Sequence, residues 1–381
     1  MEHAEPFWEE RLVRPIDVYP EHKAEGAHYT PRFDDGAYRV EAAFVAVETN
    51  EGVSGIGGPI TLDQAHIIGQ QLAPLIVGQD PRATERIWDL LYRSQVHGRG
   101  GTAMMALSAL DCALWDLKGK WAGAPVYRLL GGPTRTDIPA YASALGYSVE
   151  PERLRERARD LVDQGYRAMK WFFRDGALDG REGGDRNLTI ARTLRQAVGD
   201  TIDLMLDAWM SWDVPYTIDM ADRLAELRPR WIEEPLMPDK EREGCALIRQ
   251  KIRVPIATGE HQYTRWGQKG LMDSRSADIL QPDIYWAGGI SEVSKICAIA
   301  STYDLPVVPH GHSVPATAHL IAAQPFNVCP IIEYLIKWNE IHQFFWKVPL
   351  KPVNGVIRLS DRPGMGMELD EAKAISRIEL Y

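Results

Sequence analysis

The sequence predicts an α/β protein, a closed barrel of parallel strands joined to a smaller α+β unit, and three observations predict it. The segments Leu204-Met205-Leu206-Asp207, Trp231-Ile232-Glu233-Glu234-Pro235 and Val254-Pro255-Ile256-Ala257-Thr258-Gly259-Glu260 are each a short apolar run closed by an acid. Asp207 precedes Glu233 by 26 residues and Glu233 precedes Glu260 by 27, the length of one strand, one helix and two loops in a parallel β/α repeat. From residue 138 onward, further apolar runs alternate with helical stretches in the same rhythm, and 381 residues can hold such a barrel with a second unit beside it.

Residues 11–60 read as antiparallel β structure. Val40, Ala42, Phe44, Ala46 and Glu48 alternate along 39–49, and the chain then turns at Asn50-Glu51-Gly52. The polar segment 21–35, rich in His, Tyr, Arg and Gly, reads as a surface loop, with a lid over a site as the sharper alternative. Residues 62–125 read as helices; 104–120 carry apolar residues at helical spacing, and Gly123-Ala124-Pro125 ends the run. Strands are expected at 139–143, 167–171, 203–207, 230–233, 255–258, 278–281, 305–308 and 331–334, with helices between them such as 151–164, opened by Pro151, and 218–227. From 349 on, turns at Pro352, Asn354-Gly355 and Pro363-Gly364-Met365-Gly366 suggest loop and short strands. The expected division is a capping unit at 1–130, a barrel at 131–348, and a segment at 349–381 that returns to the capping unit.

Composition narrows the function. The chain is 45% hydrophobic and 25% charged, ordinary for a globular protein, and its net charge of −10 without a Lys/Arg block argues against nucleic acid or an anionic membrane as partner. Cys112, Cys245, Cys297 and Cys329 form no CxxC pair and are expected as buried free thiols, which suits a reducing cytoplasm. The acidic first residues, Glu2, Glu5, Glu9 and Glu10, do not make a signal peptide, and no apolar run reaches membrane length. The expected partners are a small molecule and further copies of the chain in a homo-oligomer.

In a β/α barrel the groups at the carboxyl ends of the strands face one pocket, which makes Lys170, Asp207, Glu233, Glu260, Asp283, His310 and Glu333 candidates for a site. One Asp after a strand is commonly only a helix cap. Three carboxylates converging at repeat spacing repel one another and desolvate badly unless a cation sits among them, and oxygen ligands point to a divalent ion, Mg²⁺ first. Either Glu233 or Glu234 satisfies that reading. Lys170 would balance excess negative charge, or else be a snorkelling strand-end lysine. Asp283, one strand before His310, would orient that ring and raise its basicity, as a general base requires. Glu333 suits either a hydrogen bond to a developing oxyanion or a structural place.

The segments Ser108-Ala109-Leu110-Asp111-Cys112-Ala113-Leu114-Trp115-Asp116-Leu117, Leu129-Leu130-Gly131-Gly132, Trp231-Ile232-Glu233-Glu234-Pro235, Thr258-Gly259-Glu260-His261 and Gln281-Pro282-Asp283 resemble the mandelate racemase subgroup of the enolase superfamily, over essentially the whole chain. Within it, the run from Leu204 to Ser211, Gly259-Glu260-His261 and Val308-Pro309-His310-Gly311 are most similar to the L-rhamnonate dehydratase group of sugar-acid dehydratases. The resemblance implies a modified, TIM-type (β/α)7β barrel with an α+β capping domain. It implies Mg²⁺ on Asp207, Glu233 and Glu260, an Asp283–His310 base, and Glu333 hydrogen-bonded to an enolate. Phe172 stands where the family's racemases carry a second lysine, which disfavours a two-base racemase. The segment 21–35 and the Gly57-Gly58-Pro59 turn fall where the family's capping loops cover substrate.

The activity so implied is dehydration of an aldonate to a 2-keto-3-deoxy acid through an ene-diolate, with His310 as base and either His310 or His261 as the acid that releases the 3-hydroxyl. Residues expected to touch the acid sugar are His22, His28, Tyr29, Arg32 and Trp171. The apolar neighbours Trp171, Phe172, Trp209 and Trp286 favour a deoxy or short-chain aldonate over a diacid. The alternatives are an epimerase or cycloisomerase on the same fold and, from another class, a non-catalytic binding protein that keeps the barrel.

Overall fold

A computed structural model describes residues 7–23 and 37–381. Strands β1 (Ala43–Glu48) and β2 (Ser54–Ile60) form an antiparallel hairpin. The long helix α2 (Thr102–Trp121) packs against it, and α1 (Thr84–Ser94) packs against α2. The approach of α2 to β2 is close enough to demand glycine: a Cβ on Gly55 or Gly57 would stand 2.1 or 2.3 Å from the carbonyl oxygens of Ala113 and Ala109. Helix α2 is buried on nearly every side, because its other face docks on the barrel. There Asp111 accepts from the Ser291 hydroxyl at 2.6 Å and its backbone N–H at 3.0 Å, and the Trp115 indole donates to Ser291 Oγ at 2.8 Å.

The barrel runs β3 (Asp137–Ser143), α3 (Pro151–Asp163), β4 (Ala168–Phe172), α4 (Gly180–Val198), β5 (Asp203–Asp207), α5 (Val214–Leu224) and β6 (Trp231–Glu233). It continues with β7 (Ile256–Thr258), α6 (Thr264–Asp273), β8 (Ile279–Leu280), α7 (Gly289–Ser301), α8 (Val314–Ile321), β9 (Ile332–Leu335) and α9 (Ile336–His342). Each strand pairs in parallel with the next from β3 to β8, and β9 returns to pair with β3. The expected strand at 305–308 is reduced to a single bridge, Leu280 to Val307. Pro306 and Pro309 flank it, and neither has an N–H for a ladder. The result is a (β/α)8-type barrel with a capping unit on it.

One other expectation needs adjusting. Residues 15–18 form a 3-10 turn and 20–23 a single helical turn, in place of strand, because Pro15 and Pro20 open each turn and Asp17 Oδ2 accepts from the Arg14 N–H. The segment 21–35 lies mostly outside the described residues, and His28, Tyr29 and Arg32 fall wholly outside them. In the C-terminal part, β10 (Val356–Arg358) pairs antiparallel with the start of β3, while Gly364 bridges to Pro125 and the Met365 N–H donates to Asp116 on α2. All four cysteines are buried and free, and no helix among the described residues is long and apolar enough to cross a membrane.

Strand alternation builds the interior in layers. Tyr141, Ala168, Met205, Trp231, Ala257, Ile279, Val308 and Ile331 form one buried cluster, a floor to which every strand position contributes. Residues two further along a strand face the same side. On five of these strands that next position is Lys170, Asp207, Glu233, Gln281 and Glu333, and past the bridge it is His310. A polar layer therefore sits directly on an apolar floor.

Candidate active site at the strand ends

Register places the acids side by side. Asp207 pairs with Glu233 across β5 and β6, and Glu333 pairs with Tyr141 across β9 and β3. Glu260 lies two residues beyond the end of β7, where Gly259 at φ 114 re-aims the chain. Non-glycine residues also take left-handed backbone at the exits of β5 and β6, at Trp209, Met210 and Glu234, and the Ala208 N–H donates to the Glu233 carbonyl at 3.0 Å. Strained backbone of this kind gathers where a fold over-determines its functional loops.

Lys170, only 1% exposed, stands among three of the acids. Its Nζ is 3.2 Å from Asp207 Oδ2 and 2.9 Å from Glu333 Oε1, and it donates to Glu233 Oε1. Burial pulls the lysine pKa down, but Glu233, Glu333 and Asp207 together hold it well above its ordinary value. Burial pushes Glu233 up to about 8 in spite of Lys170, and it raises Asp207 as well. Glu333 is instead held low, since Lys170 and His310 outweigh its burial. Lys170 alone leaves the group short of positive charge.

The dyad stands on the other side. His310 Nδ1 lies 2.7 Å from Asp283 Oδ2, and its Nε2 lies 3.8 Å from Glu260 Oε2. The Tyr285 N–H donates to Asp283 Oδ1 at 2.7 Å, which fixes the carboxylate. Burial lowers the His310 pKa, but Glu260, the Asp283 hydrogen bond and Glu333 outweigh it and carry the ring up to about 10. The Gly311 N–H donates to Glu333 Oε2 at 2.9 Å.

His261 makes a second, separate pair. Its Nδ1 is 2.9 Å from Glu234 Oε2 and 3.6 Å from Glu260 Oε1. The Trp286 ring stands between the two imidazoles, 5.5 Å from His261 and 4.8 Å from His310.

The donor set fits a hard divalent cation. Asp207, Glu233 and Glu260 are oxygen donors at most 2% exposed, on adjacent strand ends, with two of the three driven toward protonation by burial. Buried polar atoms without a hydrogen-bond partner also gather here, at Gln281 Oε1, Ser143 Oγ and Tyr141 OH. Among the described residues a different set of possible ligand atoms, on Glu234, Glu260 and His261, also lies within 4.8 Å of one another. We favour Asp207, Glu233 and Glu260 as the ion's cradle, because Glu234 is turned to His261 whereas Asp207 and Glu233 share the inner face of the ring.

Other expected residues fall elsewhere. Trp171 alternates with the inward Lys170 and Phe172, so it faces the outer core; its Nε1 is buried without a hydrogen-bond partner, and the residue lines a small cavity with Glu10, Arg11, Leu12 and Gly146. His22 sits on the N-terminal strap, its carbonyl accepting from Arg14 Nη2 at 2.8 Å. Sequence reasoning missed Gln281, whose Nε2 donates to Glu233 Oε2 at 2.7 Å, and Trp231, whose indole donates to the same oxygen at 2.8 Å. It also missed Glu234 as the partner of His261. Strand parity could have found Gln281, two residues after Ile279.

Comparison with known proteins bears on this arrangement. The family described as "Mandelate racemase / muconate lactonizing enzyme, N-terminal domain" matches residues 37–131, and "Enolase C-terminal domain-like" matches 153–373. The L-rhamnonate dehydratase of Saccharopolyspora erythraea is 33% identical, over 99% of this chain and 94% of that protein. The D-galactarolactone cycloisomerase of Agrobacterium fabrum is also 33% identical, over 89% of this chain and 90% of that one. The crystal structure of rhamnonate dehydratase from Gibberella zeae complexed with Mg superposes with a TM-score of 0.79 at 33% identity, covering 87% of this chain and 81% of that one.

Proposed function

The chain belongs to the enolase superfamily, in the mandelate racemase / muconate lactonizing enzyme family, and from that premise we propose that it is a Mg²⁺-dependent hydro-lyase that dehydrates a sugar acid, L-rhamnonate or a related aldonate, to its 2-keto-3-deoxy product. The observation that carries the reading is the His310–Asp283 contact at 2.7 Å, which stands directly beside the buried acids Asp207, Glu233 and Glu260.

Asp207, Glu233 and Glu260 would hold the ion, which when bound supplies the positive charge that stabilises an ene-diolate on the substrate carboxylate. Asp283 holds His310 through Nδ1, and with a bound cation offsetting the Glu260 charge that raises the ring, Nε2 would be the atom that takes the proton from C2. Lys170, held at 2.9 Å by Glu333, meets charge as it develops on the carboxylate by its own charge, and Glu333, kept ionised by Lys170 and His310, positions that lysine. The proton for the departing 3-hydroxyl comes from His310 itself or from His261, which Glu234 orients. Phe172 in place of a second strand lysine supports elimination over two-base racemisation. The buried free thiols support a reducing cytoplasm as its place of work.

The test is a screen of acid sugars with Mg²⁺, detecting 2-keto-3-deoxy products with a carbonyl reagent. L-Rhamnonate, L-lyxonate and L-mannonate are expected to turn over in preference to galactarate and glucarate. Opening of an aldarolactone with no keto product from any aldonate would instead establish the cycloisomerase reading, which the Agrobacterium fabrum relative supports.

A further inference from the structure

Beyond the base, a run of rings continues from the barrel toward the capping unit, and the chemistry described so far uses none of them. Trp286, against His310, is also 5.9 Å from the His312 ring; His312 is 4.6 Å from His342; and His342 is 5.3 Å from Trp338. His312 is tied to the base: its N–H donates at 3.3 Å to Asp283 Oδ2, the oxygen that holds His310. It also reaches the capping unit, with Nε2 3.5 Å from the Pro59 carbonyl. His312 therefore stands between the reacting centre and the cap, where the far end of a bound chain would lie.

Their partners fix what these imidazoles offer. A carbonyl only accepts, so His342 Nδ1, 3.1 Å from the His312 carbonyl, carries the ring proton and leaves Nε2 a lone-pair acceptor. The Pro59 carbonyl assigns the proton of His312 to Nε2 in the same way and leaves Nδ1 the acceptor. Burial holds both rings neutral, pushing His312 down and His342 well below its ordinary value. Two neutral acceptors among indoles suit hydroxyl donors and apolar carbons. A second carboxylate would bring lone pairs against lone pairs.

We propose that His312 and His342 are specificity-determining residues that read the far hydroxyls of a six-carbon monocarboxylate sugar acid and reject a diacid. The proposal rests on the sugar-acid reading of the site only for the class of ligand.

The experiment compares wild type, His312→Phe and His342→Phe, each loaded with Mg²⁺. It uses a six-carbon aldonate, a four-carbon aldonate with the same configuration at the reacting carbons, and the matching aldarate. Both kcat/KM and binding, read by tryptophan fluorescence, are measured. Each variant should lose at least about tenfold more on the six-carbon than on the four-carbon aldonate, mainly through KM, since one hydroxyl acceptor is gone. Its preference for aldonate over aldarate should narrow. Equal losses on both chain lengths, or no loss on either, would overturn the assignment. Absence of keto product from wild type would count against the dehydratase, while the binding isotherms would still decide whether these histidines discriminate.

Discussion

His310 and Asp283 are joined at 2.7 Å through Nδ1, while the opposite nitrogen of the ring stands 3.8 Å from Glu260. One ring is thereby connected to its orienting acid and to the edge of the cation cradle. The expected consequence is that His310→Asn abolishes both turnover and exchange of the C2 proton with deuterated solvent. Asp283→Asn should fold and lose about 10²- to 10⁴-fold in kcat, through a misdirected tautomer. NMR of substrate recovered from D₂O checks this, and wild-type deuterium incorporation in His310→Asn would assign the base elsewhere.

The cation cradle makes its own prediction. Because a reluctantly dehydrating ion needs several well-placed oxygens, Asp207→Asn and Glu260→Gln should each lose most Mg²⁺ binding by calorimetry. Mg²⁺ should raise the melting temperature of wild type, and saturation at 100 times Kd stabilises by about 2.7 kcal/mol. Full turnover in EDTA would contradict this picture.

Most of the barrel was legible because its signals are local. An apolar run closed by an acid marks a strand end whatever surrounds it, so Asp207 and Glu233 were legible as strand-end residues, with Glu260 and Asp283 just beyond their strands; Glu333 instead lies within β9, and His310 follows a single bridge. Position along a strand also decides direction, and by that rule Trp171 should have been assigned outward from the start, being one residue from Lys170. The rings of His312 and His342 were not legible. They come from a loop and a helix 30 residues apart, and what joins them is the tertiary path of the chain. The N-terminal strap misled because alternation of residue types was read across Pro15 and Pro20, which start turns.

Lys170 offers a test of the charge balance. Lys170→Met would leave Asp207, Glu233 and Glu333 buried without their shared cation, which costs about 3–5 kcal/mol when one partner of a buried ion pair is removed. The metal-free variant should therefore melt well below wild type, and added Mg²⁺ should recover more stability in the variant than in wild type. Equal Mg²⁺-induced shifts in the two proteins would separate Lys170 from the ion's acids.

His319, far from the acids, gives the stability of the fold a pH signature. It is 2% exposed, stacks on Tyr127 at 5.4 Å, and its Nδ1 accepts from the Tyr127 backbone N–H at 3.2 Å. A ring that accepts at Nδ1 is neutral, and burial pushes its pKa from 6.5 down to about 4. The folded state thus binds the proton less readily than the unfolded chain. This contribution is fully present above pH 6.5 and is lost progressively as pH falls toward 4, a total of about 3 kcal/mol. His319→Gln keeps an acceptor but does not titrate. Its unfolding free energy, from urea titrations between pH 7 and 4, should fall less steeply than that of wild type, by up to about one proton in the slope. Parallel slopes would mean that His319 is protonated equally in both states and that its burial carries no acid sensitivity.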